Sequence, residues 1–363
     1  MFFTIIILSI IIYAYFIKID EIEDNKFLKY CLPIFGVLFF TFALQYNVGT
    51  DYQSYLECAI PNELGKFKLT QFINSGEYLF ALIVYISQQF SNPQIIFFIV
   101  SLIQNTLFLF SLKEVKKINL SIFYFLIFYF TLSLCFFNQF NGIRQFISIQ
   151  LIFLSCLKFI NNDLKNAFIL LLLSPFFHFS SIIVIIILVL VYYFYKKFIG
   201  KKIFNKKYFA LAVLLFSFIY FIDFNSILLN IVRIFDIYST YIGSSYVEKM
   251  SFTEIITKIA KLIIVFYSLY RIKINKLTDS EKKLLFLGSV SSLIMILSFS
   301  SSLIWRLYLF FDLFIIFPVL IFFKYEASNI EKKLIISYLT FILFIKIIII
   351  PKGEYLYQNI FTK

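Results

Sequence analysis

The strongest constraint on the fold is a series of long apolar runs that recurs through the 363-residue chain. A helix needs roughly 20 apolar residues to cross the hydrocarbon layer of a bilayer, and most of these runs approach that length. An open strand cannot cross lipid because its backbone groups would go unpaired, so we expect helices. The runs lie at 2–17, 30–46, 95–112, 120–137, 146–160, 166–177, 179–195, 208–222, 254–270, 284–303, 305–323 and 334–350.

The composition favours a membrane protein over a soluble one. Apolar residues make up 61% of the chain and charged residues 15%, whereas a soluble domain has about 45–50% and about 25%. One soluble core of this length could not bury so much apolar surface. We therefore predict an all-α, polytopic transmembrane helical bundle, a single integral membrane domain over residues 1–363. A soluble enzyme, a disordered chain and a secreted disulfide scaffold are excluded.

The basic residues predict the orientation of the bundle. The net charge is +13, and it comes from short loops between apolar runs, so we interpret it as topology signals and contacts with anionic lipid, not as a nucleic-acid site. One set of loops holds 22 basic residues and the other holds 8, which predicts that the first set is cytoplasmic. The basic set comprises loops 18–29, 113–119, 158–165, 196–207, 271–283 and 324–333.

A shorter run at 78–90 would reverse this pattern if it crossed the membrane. We expect a re-entrant or interfacial helix there, buried by protein, which leaves about 12 spans with both termini outside. The first run lacks a basic leader and a cleavage site, so we expect it to be retained as a helix. Two long outer loops, 47–77 and 223–253, are expected to cover an active-site cavity.

No motif points to a cofactor. The chain has only 9 glycines and no glycine-rich nucleotide loop, so nothing supports an ATP-driven process. The cysteines show no metal-binding spacing, and we interpret them as apolar side chains that face lipid or the core. We expect no cofactor and no metal site. The cysteines are Cys31, Cys58, Cys135 and Cys156.

The first polar cluster is the segment 47–55, directly after the second run. Asp51 followed by Tyr52 and Tyr55 suits sugar recognition, because a carboxylate accepts bonds from hydroxyls and aromatic rings stack on sugar faces. The alternative is an interfacial turn in which Gly49 ends one helix, Asp51 caps the next and the tyrosines lie in the aromatic belt.

The second cluster is Glu77 with Tyr78, at the start of the run at 78–90. Both are candidates for contacts with sugar hydroxyls. A glutamate near a helix N-terminus is also favoured by the helix dipole whatever the function, and this alternative stays open.

The third cluster, 138–145, places amides around one arginine between two apolar runs. Arg144 offers a planar fork of donors that suits two oxygens of a phosphate. The alternative is snorkelling to lipid headgroups. A lipid-facing arginine needs no polar company, so the neighbouring Asn141 and Gln145 favour a functional site.

The fourth cluster contains His178, the only histidine. It follows Pro175 in an apolar stretch, 166–195, that is long for one span and short for two. Proline can break the stretch and leave His178 at the break. Histidine suits proton transfer, whereas a lone histidine is too little for a metal. The alternative is a packed histidine bonded to a backbone carbonyl.

The fifth cluster lies where the run 305–323 begins. Arg306 follows the only tryptophan, Trp305, and Asp312 lies further along the run. Arg306 is a second candidate for binding phosphate, and an internal contact between Arg306 and Asp312 is the alternative.

Other basic residues carry weaker signals. Arg233 adds positive charge to the second outer loop, so it is a candidate for binding an anionic substrate. Lys258, Lys261 and Lys346 lie inside predicted spans and could snorkel outward, so we assign them no role.

These clusters together predict an outward-opening polar cavity that suits a lipid phosphate or pyrophosphate carrying a sugar. In their order along the chain, over about residues 47–320, they resemble the EpsG family of Wzy-type polysaccharide polymerases. The residues that carry the resemblance are Val48-Gly49-Thr50-Asp51-Tyr52 with Tyr55, Glu77-Tyr78, Arg144-Gln145, His178 with Ser180, and Arg306-Leu307-Tyr308-Leu309-Phe310 with Pro318.

The resemblance implies a GT-C-like fold and a polymerase of undecaprenyl-pyrophosphate-linked repeat units, for O-antigen, capsule or exopolysaccharide. The site would face the periplasm or cell exterior of the bacterial cell (inner) membrane, and a chain-length regulator is a candidate partner. We expect Arg144 and Arg306 to hold the departing pyrophosphate, and His178 or Asp51 to accept the proton of the attacking hydroxyl. The expected substrate-binding residues are Tyr52, Tyr55, Glu77, Tyr78, Asn141, Gln145 and Arg233.

Three other functions remain as alternatives. A flippase for lipid-linked oligosaccharides should place charges through both leaflets, whereas these clusters gather on one side. An O-antigen ligase uses the same donor with a different acceptor, and only the motif set favours the polymerase. A scaffolding protein would have no need for five polar clusters.

Overall fold

The computed structural model describes residues 2–90, 92–199, 252–349 and 356–360. The chain divides into two compact units, which we call unit 1 (residues 1–183 and 343–363) and unit 2 (residues 184–342). Over the described ranges it is helical, apart from loops and one isolated bridge between Gln45 and Asn359. The predicted all-α fold class is confirmed.

One predicted span and most of the outer loop that follows it lie outside the described residues. They include the run at 208–222, nearly all of the loop 223–253 and the candidate residue Arg233. The single integral membrane domain and the covering role of the two outer loops stay predictions.

Helix α9 is the central element of unit 1 and packs against α6 and α10, while α2 packs against α6. The helices of this unit are α1 (Phe2–Phe16), α2 (Asp24–Ala43), α3 (Tyr52–Ala59), α4 (Glu63–Asn74), α5 (Tyr78–Gln88), α6 (Ile95–Lys117), α7 (Ile122–Thr131), α8 (Cys135–Asn138), α9 (Ile143–Ile160), α10 (Leu164–Phe177) and α11 (Ser181–Phe194), which continues into unit 2.

Unit 2 is built around α13, which packs against α12, α14 and α15. Its helices are α12 (Phe252–Arg271), α13 (Asp279–Leu297), α14 (Ser302–Leu309), α15 (Ile316–Tyr325) and α16 (Asn329–Phe344), which continues into unit 1. Single turns of 3-10 helix occur at Ile274–Lys276, Ser298–Ser300 and Asp312–Ile315, and π-helical turns at Tyr195–Ile199 and Ile345–Ile349.

Four helices of the described residues are long and apolar enough to cross a membrane. They are α2, α6, α9 and α13 with the turn that follows it. Shorter apolar helices accompany them, namely α1, α5, α7 and α10. The chain is therefore a helical membrane protein by length and composition, whereas the count of 12 spans and the GT-C-like arrangement stay predictions.

Two predicted apolar runs are interrupted, which corrects the expectation of one helix each. The run 120–137 divides into α7 and α8, where the Cys135 amide donates to Ser133 Oγ at 3.0 Å. The run 305–323 divides around Asp312, which is fully buried. Apolar length cannot reveal such breaks, because they follow from polar side chains that bond to nearby groups.

Loops predicted to be cytoplasmic meet at one end of unit 1. Lys116 Nζ donates to the Asp20 carbonyl at 3.2 Å, and the Asp20 carboxylate accepts the Ile122 amide at 2.6 Å at the start of α7. Lys158 Nζ contacts Glu114 Oε1 at 3.5 Å. The loops after α1, α6 and α9 therefore share one end, as the distribution of basic residues predicts.

Segments predicted to be outside meet at the opposite end of α9, whose 18 residues span about 27 Å. The Asp51 amide donates to Asn141 Oδ1 at 2.9 Å, and Gln94 Nε2 donates to the Gln45 carbonyl at 2.8 Å. The C-terminal segment joins them, since the Tyr46 amide donates to the carbonyl of Gln358 at 2.9 Å.

Helix α5 begins and ends among these same segments. Glu77, just before it, pairs with Arg144, and Gln88 at its last turn donates from Nε2 to the Cys58 carbonyl at 2.8 Å. Its 11 residues give about 16 Å, which is short for a span. These contacts support the predicted re-entrant or interfacial helix at 78–90.

Replacing Gly288 should destabilise unit 2. A Cβ added there would lie 2.4 Å from Pro318 Cδ and 2.9 Å from the Phe314 carbonyl oxygen, so α13 and α15 would be forced apart. We expect Gly288→Ala to cost about 1–3 kcal/mol, measured by thermal unfolding in detergent. Gly36→Ala is the matched control, because a Cβ at Gly36 meets nothing within 4 Å. Equal melting of both variants would contradict the packing described.

Candidate functional site

A buried carboxylate joins two of the predicted site residues at the outer-segment end of unit 1. The Glu77 side chain is 4% exposed, and its Oε2 accepts a hydrogen bond from Arg144 Nη1. Its Oε1 lies 3.0 Å from His178 Nδ1 and accepts the Phe179 amide at 3.2 Å. Three predicted clusters therefore meet in one site, which we call the Glu77 cluster (Glu77, Arg144 and His178).

The electrostatics of the cluster keep Glu77 ionised. Burial alone raises the pKa of the Glu77 carboxyl, but the hydrogen bond from His178 and the charge of Arg144 outweigh burial, so the net pKa lies below the ordinary value. An ionised carboxylate only accepts hydrogen bonds. His178 Nδ1 must therefore donate, which leaves the lone pair of a neutral ring on Nε2.

A glycine turn delivers Glu77 to this position. After α4 the chain adopts φ +81° at Gly76, a conformation that suits glycine. The Gly76 amide donates to the Ile73 carbonyl, and the Glu77 amide donates to the Phe72 carbonyl, which is the Schellman pattern of helix ends. The turn ends α4 and places Glu77 immediately before α5.

His178 lies at the predicted helix break. Pro175 has no amide hydrogen, and Ser174 Oγ donates to the Leu171 carbonyl at 2.9 Å, the group that an amide at position 175 would otherwise contact. Helix α10 ends at Phe177, and His178 is extended with φ −154° and ψ 111°. The break predicted from Pro175 is confirmed, and it exposes the imidazole to Glu77.

Arg144 is the second residue of α9 and contacts two aromatic rings. Its guanidinium carbon lies 5.1 Å from the centre of the Phe72 ring, and its side chain forms a hydrogen bond with Tyr55. Burial raises the pKa of Tyr55, while the charge of Arg144 opposes that rise. Tyr55 is therefore a neutral phenol that contacts the cluster, and the arginine side chain stays 30% exposed.

Asn141 fixes the segment that carries Asp51. Its Oδ1 accepts the Asp51 amide at 2.9 Å and the Thr50 hydroxyl at 3.2 Å. Gly49 has φ +78°, and a Cβ there would lie 2.8 Å from Asn141 Oδ1. This close approach requires glycine at position 49. The contacts with Asn141 fix the segment just before α3, and Tyr55 on α3 lies beside Arg144.

Tyr52 packs in the core instead of facing a cavity. It is 1% exposed, its ring stacks on Phe97 at 4.9 Å, and its hydroxyl donates to Gln94 Oε1 at 3.0 Å. The buried ring argues against the predicted role in stacking on sugars. Tyr78 is more than half exposed, and the centre of its ring lies 6.2 Å from the centre of the Phe176 ring. Its role, like that of Gln145, stays a prediction.

Arg306 lies in unit 2, on α14. The adjacent Trp305 stacks on Tyr308 at 5.2 Å, and the Tyr308 hydroxyl donates to Asp312 Oδ1 at 2.6 Å. The convergence of Arg306 with Arg144 and His178 stays a prediction. Within the described ranges, no group of three or more His, Cys, Asp or Glu is placed to hold a metal.

Sequence reasoning missed two features of the site. It did not pair Glu77 with His178, which are separated by 101 positions. It also assigned no role to Phe72, which has no polar signal. The sequence signal that could have indicated a special position for Glu77 was the preceding Gly76. A glycine before a single acidic residue at the start of a helix is typical of a turn that fixes the direction of the acidic side chain.

Comparison with known proteins identifies the family. The family model described as EpsG family matches residues 28–361, nearly the whole chain and all members of the Glu77 cluster. The chain belongs to the EpsG family. No curated protein and no solved structure shows a significant match. EpsG membership favours a membrane protein of polysaccharide biosynthesis with glycosyltransferase-like polymerase character.

Gly49→Ala should destabilise unit 1 through Asn141. The left-handed backbone at position 49 and the clash of the new Cβ with Asn141 should together lower the free energy of unfolding by about 1–3 kcal/mol, measured by thermal unfolding. In an Asn141→Ala background the clash with Oδ1 and Cγ is removed while the contact with the Cβ of residue 141, at 3.1 Å, remains, so Gly49→Ala should cost less there and a double-mutant cycle should show coupling. Strict additivity would contradict the contact.

Glu77→Gln should destabilise the protein in a pH-dependent way. Because the pKa of Glu77 is lowered in the folded state, its stabilisation is present above the ordinary value of 4.5 and is lost as the pH falls through the lowered value. The loss of thermal stability in Glu77→Gln should be large at pH 7 and shrink as the pH falls below the ordinary value of 4.5. Gly36→Ala should show no such trend. A pH-independent penalty would contradict the charge pairing.

Proposed function

We propose that this protein is a membrane glycosyltransferase that polymerises undecaprenyl-pyrophosphate-linked oligosaccharide repeat units on the outer side of the membrane. The observation that carries the proposal is the Glu77 cluster, in which one buried carboxylate orients an imidazole beside a partly exposed guanidinium. Membership of the EpsG family supports the same reaction class.

The reaction needs a base and a site for a departing anion. The terminal sugar hydroxyl of one lipid-linked glycan attacks the anomeric carbon of the other. A glycosidic bond forms, the bond from that carbon to the pyrophosphate oxygen breaks, and the hydroxyl proton passes to the base. The pyrophosphate leaves with the bonding electrons. No nucleotide sugar takes part, because the donor carries its own leaving group.

We assign the base to His178. Glu77 accepts from Nδ1 and so directs the lone pair to Nε2, which takes the proton of the attacking hydroxyl. The carboxylate then stabilises the imidazolium that forms, as in other acid–histidine pairs. Glu77 therefore acts as a positioning residue in this proposal, not as the sugar ligand that the sequence predicted. Asp51 stays the alternative base.

Arg144 stabilises the departing pyrophosphate in this proposal. A guanidinium carries five donors in a planar fork, so Arg144 can hold Glu77 and Tyr55 and still contact phosphate oxygens. Its exposed fraction of 30% leaves the group accessible. Such fixed donors act where negative charge develops, which lowers the barrier to bond cleavage.

Substitutions in the cluster test the mechanism in a polymerisation assay with the purified protein and lipid-linked oligosaccharide. His178→Ala should lower kcat by about 10²–10⁴-fold, the range for a lost general base. Arg144→Ala should lose about 10²–10³-fold, as for a lost donor to a developing anion. Glu77→Gln should lower kcat more than it changes KM.

The matched controls keep the same residue types outside the cluster. Glu57→Gln removes a carboxylate paired with Lys68, and Arg271→Ala removes an arginine paired with Glu331. Both should retain polymerisation. Wild-type chain lengths from His178→Ala and Arg144→Ala together would overturn the proposed site.

Glycan analysis of a deletion strain separates the proposal from its rivals. A polymerase deletion should leave a single repeat unit attached to its normal acceptor. Loss of all surface units would instead indicate a flippase or a ligase. The orienting bond between Glu77 and His178 favours the enzyme, since a flippase has no need to fix an imidazole tautomer.

A further inference from the structure

The C-terminal segment (residues 357–360) caps the end of α2 in unit 1. The last carbonyls of a helix have no partner within the helix. In α2 the Thr41 carbonyl accepts the Tyr357 hydroxyl at 2.8 Å, and the Ala43 carbonyl accepts Gln94 Nε2 at 3.0 Å. Two side chains that are distant in sequence therefore cap this helix, and Tyr357 lies 316 positions from the carbonyl that it contacts.

The backbone of the C-terminal segment pairs with the chain that follows α2. The Tyr46 amide donates to the Gln358 carbonyl at 2.9 Å, and the Ile360 amide donates to the Leu44 carbonyl at 3.1 Å. These two hydrogen bonds lie on either side of the isolated bridge. The paired chain continues directly into residues 47–51, so the C-terminal segment fixes the direction in which the chain enters the segment before α3.

The ring of Tyr357 packs against the segment that carries Arg144. It stacks on Phe2 with the ring centres 4.1 Å apart, and it lies edge-on to Phe140 with the ring centres 6.3 Å apart. Phe140 is fully buried and also contacts Phe42 of α2. Phe140 precedes Arg144 by four positions, in the turn from which α9 begins. The ring of Tyr357 therefore contacts the turn that sets where the arginine lies.

The two chain segments that contact the C-terminal segment meet again at Arg144. One of them, residues 138–145, includes the arginine itself. The other continues into α3, whose Tyr55 forms a hydrogen bond with the arginine. The hydrogen bond between Asn141 and the Asp51 amide joins the two close to the guanidinium, and the C-terminal segment joins them further away. Two separate links fix a relative orientation that a single link would leave free to rotate.

We propose that Tyr357 is a positioning residue for Arg144, and that the C-terminal segment holds the guanidinium in place against Glu77. The hydroxyl of Tyr357 fixes the end of α2, and its ring fixes Phe140. The consequence for catalysis rests on the proposed function, since a displaced donor no longer meets the charge that develops on the leaving group. The position of the arginine itself is measured without turnover.

The experiment compares the chemical reactivity of two arginines. The full chain in phosphatidylcholine nanodiscs is treated with phenylglyoxal, which modifies guanidinium groups, and the rate of modification of Arg144 is followed by mass spectrometry. Arg271, which is paired with Glu331 in unit 2, is the internal reference. The variants are Tyr357→Ala, which removes the ring and the hydroxyl, and Tyr357→Phe, which keeps the ring.

A further variant and a matched control separate positioning from loss of folding. Ile360→Pro removes the amide that bonds to the Leu44 carbonyl and leaves Tyr357 in place. Tyr338→Ala removes a tyrosine whose hydroxyl donates to the Ala260 carbonyl at 3.2 Å, in unit 2. All variants are labelled at a temperature at which thermal unfolding shows each of them to be folded.

We expect Arg144 to react about tenfold faster in Tyr357→Ala and in Ile360→Pro, because the rate follows the fraction of molecules in which the guanidinium has left its partners. Tyr357→Phe should stay within about twofold of the wild type, since its ring still contacts Phe140. Tyr338→Ala should leave the rate unchanged. A wild-type rate in both Tyr357→Ala and Ile360→Pro, or an equal rise in Tyr338→Ala, would overturn the positioning role.

Polymerisation kinetics separate the positioning role from the proposed function. Tyr357→Ala should lower kcat by about 10–10²-fold and leave KM nearly unchanged, because Arg144 is proposed to act only in the transition state. Faster labelling of Arg144 with a wild-type kcat would overturn the catalytic role of the arginine and keep the positioning role. A lowered kcat with an unchanged labelling rate would overturn the positioning role.

Discussion

The outer-segment end of unit 1 depends on one buried carboxylate. The two oxygens of Glu77 bind different partners, since Oε2 accepts from Arg144 while Oε1 faces His178 and the Phe179 amide. The three segments that meet there are the turn before α5, the start of α9 and the break after α10. A charge buried without partners is strongly destabilising, so these segments are favoured only when all are in place.

The local turns around the carboxylate make the arrangement specific. Gly76 positions Glu77 by ending α4, and Pro175 with Ser174 lies in the last turn of α10, which ends directly before His178. The contact of Asn141 with the Asp51 segment then sets α3 beside Arg144. Packing of apolar helices alone would leave their rotation and register loosely defined, whereas directional bonds at one end select a single arrangement.

The sequence was sufficient for the helical membrane class and for the three members of the cluster as separate candidates. It could not pair them, because positions separated by 67 and 101 residues meet only through tertiary packing. The alternative interpretation, that the helix dipole alone favours a glutamate at this position, accounts for the place of Glu77 before α5 but not for its contacts with Arg144 and His178. For Tyr52 the sequence suggested a contact that the structure does not favour. A tyrosine directly after an acidic residue is typical of a sugar-binding site, but the ring of Tyr52 stacks on Phe97 in the core. Lys258 shows the same limit, because it is only 5% exposed and hydropathy cannot distinguish a lysine enclosed by protein from one that snorkels to the surface.

The charge of the Glu77 cluster changes in step with the proposed reaction. The proposed mechanism requires His178 to be neutral before the reaction, and the charges of Glu77 and Arg144 then cancel, which lowers the cost of holding the cluster in a partly buried place. When Nε2 accepts the proton of the attacking hydroxyl, the cluster becomes positive by one unit. The pyrophosphate gains negative charge in the same step, as its bond to the sugar breaks. The cluster is therefore more attractive to the leaving group in the transition state than in the ground state, and a difference of this kind is what accelerates a reaction.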